Sequence, residues 1–288
     1  MKAGWRNNYN DKTKWIEVIG KDLKFAFGDL KKWLSNGGKL PSILVYPDFP
    51  SKKTTIFKIA NRLGYRITNK LISNPEVVLY FEDQTFGEHA DYLRKRFPNA
   101  LNLDCTDISK NKVDAIHLKV FGYNTIIDPK KYSGKAVQKS DINALHDGAI
   151  VDCPLDETKE GSIYQILLDN VFDDEYVVDF RVPVISGEIP LCYKKFKRMN
   201  VRFTNEVSRS EMVEVNSILS SDEQNSIIEF AKAMKVDFCE LDILRHSDGR
   251  IFIIDVNKTP YGPPFGLQES DEAVSRLTSL FKKSFIEK

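Results

Sequence analysis

Cysteine and histidine are scarce in this chain, a glycine fingerprint is missing, and positive and negative charge nearly cancel. Among 288 residues there are four cysteines, Cys105, Cys153, Cys192 and Cys239, and no Cys-x-x-Cys pair. That spacing excludes a zinc ribbon and a dense disulfide framework, so the cysteines read as reduced packing residues. His89, His117, His146 and His246 show no metal-ligand spacing, and no Ser/His/Asp arrangement is legible. Gly-x-Gly-x-x-Gly is absent, which removes motif support for dinucleotide binding. The 42 Lys+Arg and 41 Asp+Glu leave a net charge of +1, so no overall field draws the chain to nucleic acid or anionic lipid. No run approaches the roughly 20 apolar residues that span a bilayer, and the polar start Met1-Lys2-Ala3-Gly4-Trp5-Arg6 lacks a secretory pattern. The expectation is a cytoplasmic protein with no membrane and no nucleic-acid partner.

What is present is the composition of a folded protein, 42% hydrophobic and 29% charged. Residues 1–40 read as a leader plus an amphipathic helix carrying Trp15, Leu23, Phe27, Leu30 and Leu34, stopped by Asn36-Gly37-Gly38. From Pro41, a strand (Ser42 to Tyr46), a helix (Ile56, Ile59, Ala60, Leu63) and a second strand (Val77 to Phe81) follow. Leu93 and Phe97 mark another helix, and Ala100 to Leu103 a third strand. Residues 41–107 are therefore expected to be a small parallel α/β domain. After a boundary near Thr106 to Ser109 the texture is α+β over residues 108–267. Tyr176 to Ile185 turns at Ser186-Gly187 into Ile189 to Tyr193, and Ser220 with Glu223 predicts a capped helix over 221–235. Residues 268–288 predict a closing amphipathic helix. No internal repeat is visible.

The most informative segment is a hairpin, Phe238 to Arg245 and Arg250 to Asn257, joined by His246-Ser247-Asp248-Gly249. With the turn at 246–249, Arg245 pairs with Arg250 and Glu240 faces Asp255. Alternation then puts Phe238, Glu240, Asp242 and Leu244 on one face with Ile251, Ile253, Asp255 and Asn257. A solvated acidic face is the plain alternative, but Asp255 and Asn257 sit inside an apolar run that reads as buried. Converging buried carboxylates need a compensating cation, and hard oxygen ligands suit Mg²⁺, which keeps waters and shares nucleotide phosphate oxygens.

On these residues the chain resembles the ATP-grasp superfamily, of the type of D-alanine:D-alanine ligase and glutathione synthetase. Asp242, Asp255 and Asn257, with an Asp-Gly turn between and Pro260 beyond, match its metal motif, with Asp255 standing where Glu is usual. The resemblance implies a small α/β domain followed by an ATP-grasp fold of two α+β subdomains, with ATP and two Mg²⁺ ions as cofactors. It also implies two phosphate-binding lysines: Lys139, ahead of the polar loop Ser140 to Gly148 that contains His146, and Lys110, with Lys112 and Lys119 as rivals. Adenine would be held by Gln165 and by backbone groups of Ile166 to Leu168, Gln165 replacing a common Glu. Asp179 would meet the ribose. Arg181, Lys195 and Arg202 would contact phosphate or a substrate carboxylate; the basic run Lys194 to Arg198 fits an anion better than nucleic acid in so neutral a chain. The implied reaction is ATP-dependent ligation of a small-molecule carboxylate to an amine or thiol through an acyl phosphate. A kinase of the same fold and a non-catalytic nucleotide-binding protein are the alternatives.

Overall fold

The computed structural model describes residues 28–34, 37–71, 74–143, 145 and 147–287. The expected helix over Trp15, Leu23 and Phe27, and the placement of His146, lie outside them. A short helix, α1, covers 28–34, with Leu30 and Leu34 exposed rather than buried.

A three-stranded parallel sheet opens the fold, in the order β2-β1-β3: β1 Ser42–Pro47, β2 Arg66–Thr68 and β3 Val77–Phe81. Helix α2, Thr55–Leu63, crosses between β1 and β2 and stops at Gly64 in the left-handed conformation (φ 73°). The third strand differs from the sequence expectation. Residues 100–103 form only a single bridge, Leu101 to Leu79, and β2 takes the edge of the sheet. Arg66–Thr68 is too short and too polar to announce itself by pattern. Helix α3, Ala90–Arg94, ends before Phe97.

Helix α4, Lys110–Phe121, is capped by the Ser109 hydroxyl and ends at Gly122. It leads into an antiparallel sheet ordered β5-β4-β6: β4 Gly134–Ser140, β5 Ala149–Cys153 and β6 Ser162–Ile166. The largest sheet is antiparallel, ordered β11-β10-β7-β8-β9: β7 Tyr176–Ile185, β8 Cys192–Arg198, β9 Arg209–Val213, β10 Phe238–Arg245 and β11 Ile251–Asn257. After the turn, whose Ser186 and Gly187 have φ of 51° and 77°, pairing of β8 begins at Cys192 rather than Ile189. Helix α5, Ser221–Ala233, carries the expected capping box of Ser220 and Glu223 and ends two residues short of the predicted stop. Helix α6, Ser270–Phe285, closes the fold.

The five-stranded sheet is buried on one face throughout. There Val182, Val184, Leu241, Ile243 and Ile253 pack with Val113 of α4 and Ile227, Phe230 and Met234 of α5. Its other face is divided. One end, with Ile185, Tyr193 and Phe238, is covered by α6 and the small parallel sheet in a second core. The rest of that face carries a row of charged side chains.

Candidate active site

The row is set by the pairing of β10 with β11, and here the structure corrects the expected register. Arg245 pairs with Ile251 and Ile243 with Ile253, and the pairing then shifts so that Asp242 faces Asp255 and Glu240 faces Asn257. Ile254 is the extra residue of a β-bulge. Without the shift, Asp242 would face Ile254, and Asp255 would point into the apolar core because side chains alternate. The bulge therefore turns Asp255 and Asn257 onto the face of Asp242, while Ile251 and Ile253 join the core on the opposite side.

Asp242 is also paired with Arg181 of β7, so Asp255, Asp242 and Arg181 stand in one line across three strands. Arg181 grips Asp242 with two prongs, Nε to Oδ1 at 3.0 Å and Nη2 to Oδ2 at 3.1 Å. Lys195 Nζ, from β8, donates to the same Oδ1 at 2.9 Å. Against the cost of burial, these two cations hold the Asp242 carboxyl well below the usual carboxylate range. Asp255 is treated differently. It accepts a hydrogen bond from Val256 N at 3.1 Å, and burial together with the nearby Asp242 pushes its carboxyl up to about 6. It is a half-buried acid with no direct ion pair among the described residues.

Two lysines face that acid. Lys139, on β4, is held down to about 8 by burial and by its neighbour Lys110, while Asp255 pulls the other way. Lys110 opens α4 and is buried, its Nζ donating to Ile142 O at 2.9 Å and Asn143 Oδ1 at 3.1 Å. Lys112 and Lys119 are exposed on the same helix, so Lys110 alone of the three rivals is brought to the site. The loop after β4 is seated on the start of α4, with Asp141 Oδ1 accepting from Asn111 N at 2.9 Å.

The remaining candidates form a second group. Asp179 is buried and paired with Lys197 Nζ at 3.0 Å, and it accepts from Asn170 Nδ2 at 3.0 Å. Arg202 donates to Leu168 O at 2.9 Å and Asn170 Oδ1 at 2.7 Å, so it braces the segment after β6 and does not join Arg181 and Lys195. Gln165 turns inward, its Nε2 donating to Thr125 Oγ1 at 2.6 Å. Ile166 N donates to Thr125 O at 2.9 Å. Lys197 and Asn170 were not singled out by sequence. Alternation along β8 is the signal that finds Lys197, two positions from Lys195 and on the same face.

Two carboxylates and an amide, Asp242, Asp255 and Asn257, form a donor set of hard oxygens; no cluster of three acidic, His or Cys ligands occurs among the described residues. The set suits Mg²⁺, which takes one or two carboxylates and fills its other positions with water and phosphate oxygens. Asp255, directly opposite Asp242 and without an ion pair of its own among the described residues, is the observation that favours a cation there.

Comparison with known proteins bears on the fold that carries this site. Residues 152–268 match the family model of the RimK-like ATP-grasp domain. The ATP-grasp ligase PsnB, solved with a minimal precursor, superposes with a TM-score of 0.56 at 13% identity, covering 85% of this chain and 99% of that one. D-alanine–D-alanine ligase from Bacillus anthracis, solved with ATP, gives 0.55 at 14% identity, covering 86% and 96%. A RimK domain ATP-grasp protein from Sphaerobacter thermophilus gives 0.50 at 11% identity, covering 85% and 99%. No curated protein matches by sequence.

Proposed function

From the ATP-grasp fold that this chain carries, a small parallel α/β unit followed by two α+β sheets, we propose that it is an ATP-dependent ligase joining a small-molecule carboxylate to an amine or thiol. The observation that carries the reading is charge placement. Lys110, Lys139, Arg181 and Lys195 converge on the opposed carboxylates Asp242 and Asp255, a surplus of cations that suits a polyphosphate, around an acid pair that suits a divalent metal.

In this reading Asp242, Asp255 and Asn257 would hold Mg²⁺, two ions in all, and the metal would supply neutralisation of triphosphate charge. Lys110 and Lys139 take α- and β-phosphate oxygens, and Arg181 and Lys195 face the transferring phosphoryl group. Adenine lies against Ile166 to Leu168, with Asp179 toward the ribose. A substrate carboxylate oxygen attacks the γ-phosphorus and ADP leaves. The acceptor nitrogen or sulfur then attacks the acyl carbon, the C–O bond to phosphate breaks with its electron pair leaving on phosphate, and the acceptor proton goes to solvent. No covalent enzyme nucleophile is needed; the chain contributes position and field. Free cysteines accord with a cytoplasmic location. No described helix is long and apolar enough to cross a membrane.

The test is ADP release over a pooled panel of carboxylates and amines, with mass spectrometry of products. A condensed product with ADP and phosphate supports the ligase. A phosphorylated product released without condensation would make it a kinase, and tight MgATP binding without ADP under any pool would make it a non-catalytic binder.

A further inference from the structure

Arg181 lies between two buried carboxylates and is hydrogen-bonded to one of them. Its Nε and Nη2 are committed to Asp242, which leaves Nη1 3.6 Å from Glu240 Oε2, beyond normal hydrogen-bonding range. Glu240 is 1% exposed, and its Oε2 is a buried oxygen with no hydrogen-bond partner among the described residues. The other oxygen is packed in: it lies 3.3 Å from Thr55 Oγ1, whose one proton it shares with Gly262 O at 3.0 Å, and a Cβ on Gly262 would lie 1.8 Å from it. Glu240 is thus enclosed by α2 and by the loop after β11, out of reach of any ligand. It keeps one acceptor open, facing a guanidinium.

Asp242 has the opposite difficulty. Arg181 takes both of its oxygens and Lys195 shares one. A metal that uses Asp242 has to compete with these donors for the same lone pairs. A second acceptor for Arg181, buried and 3.6 Å from its Nη1, relieves the guanidinium's share of that competition at the cost of a short movement, while Lys195 keeps its hold on Oδ1.

We propose that Glu240 is a positioning residue for the metal site: it draws Arg181 away from Asp242 when Mg²⁺ enters with nucleotide. This inference rests on the Mg-nucleotide reading above. In this structure Asp242 accepts from Arg181 and Lys195, and Glu240 Oε2 is the nearby acceptor that would take the guanidinium when Asp242 turns to a metal.

The test is calorimetric titration of Mg²⁺ into protein held with a non-hydrolysable ATP analogue, after EDTA treatment, for the wild type, Glu240→Gln and Thr55→Val. Glu240→Gln should raise the half-saturating Mg²⁺ about 10- to 100-fold, the usual effect of losing an outer partner of a metal ligand, with analogue affinity in EDTA unchanged. Thr55→Val loosens Glu240 Oε1 but spares Oε2, and should keep the wild-type dependence. Equal Mg²⁺ dependence in Glu240→Gln and wild type would overturn the proposal while leaving the nucleotide site intact, and so would an equal loss in Thr55→Val, which would mark a packing role. A wild type without any Mg²⁺-dependent binding would remove the nucleotide reading as well. A crystal structure of the wild type with Mg²⁺ and analogue is independent of how the variants fold. Arg181 Nη1 within hydrogen-bonding distance of Glu240 supports the proposal, and Arg181 still two-pronged on Asp242 overturns it.

Discussion

Residue identity in the charged row has consequences that single substitutions read out. Asp255→Asn keeps shape and removes charge, so it should abolish the Mg²⁺ dependence of nucleotide binding, because a neutral amide is a poorer ligand for a hard cation. Lys139→Ala removes a phosphate cation and should weaken ATP itself, seen as a raised Kd in EDTA as well as in Mg²⁺. Each should cost roughly 100- to 1000-fold in turnover once a substrate is known, the usual loss for one transition-state charge partner. Near-normal ADP formation in either variant would show that its assigned role is wrong. Gly262 is a different kind of position. A methyl group there would sit 1.8 Å from Glu240 Oε1, so Gly262→Ala should cost about 1–3 kcal/mol in urea unfolding through overpacking. The same carboxylate is reached by Thr55 across 185 positions of sequence. The motif Asp242, Asp255, Asn257 was legible because hairpin neighbours are close in sequence. Arg181, 61 positions from Asp242, could be named as a candidate, but its ion pair depends on how β7 and β10 align. Alternation along the hairpin had put Glu240 on the acidic face, but its contacts with Thr55 and Gly262 carried no local signal.

Elements show the same division between local and distant information. The cap of α5 and the Gly122 stop of α4 were legible because Ser/Thr caps and left-handed glycines act within a turn. The bulge in β11 was not, because one inserted residue leaves the composition of the strand unchanged. Helix α4 carries a prediction of its own. His117 on this helix is fully buried, stacked on Phe121 at 4.3 Å and against Phe252 at 5.7 Å, and neither ring nitrogen has a hydrogen-bond partner among the described residues. Burial, opposed by Asp114, lowers its pKa from 6.5 to about 4. The neutral form is the one that fits, so the unfolded chain binds the proton more readily. Stability is therefore complete above the unfolded pKa and is lost as pH falls from 6.5 toward about 4. The expected loss at His117 between about pH 7.5 and about pH 5 is roughly 2 kcal/mol. His117→Phe should remove that part of the acid sensitivity, measured as the difference in unfolding free energy between the two pH values. An equal drop in both proteins would contradict it.

Taken whole, the molecule sets its charged row on the five-stranded sheet, with two bodies beside it, the small parallel sheet and the sheet carrying Lys139. The small parallel sheet is tied to the start of β10 by Asn102, which is fully buried at φ 60°. Its Oδ1 accepts from Asp237 N at 2.8 Å and Phe238 N at 3.0 Å, and its Nδ2 donates to Phe238 O at 2.7 Å. Those bonds fix the strand that carries Glu240 and Asp242. Asn102→Ala leaves several buried backbone groups unmet and should cost roughly 2–4 kcal/mol, measurable by denaturant unfolding. On the other side, the sheet carrying Lys139 reaches the row through α4 and its loop, so ligand contact from both sides should hold the two bodies together. Any ligand that binds only the native state raises stability by mass action, and at ~100 times Kd the gain is roughly 2.7 kcal/mol.

The central claim is that nucleotide and magnesium bind together at Asp242, Asp255 and Asn257 with Lys110 and Lys139. Its most direct measurement is the melting temperature of the protein with ATP and Mg²⁺ against ATP and EDTA. A clearly larger rise with Mg²⁺, reduced to the EDTA value in Asp255→Asn, is the predicted result. No shift across millimolar MgATP would contradict the account.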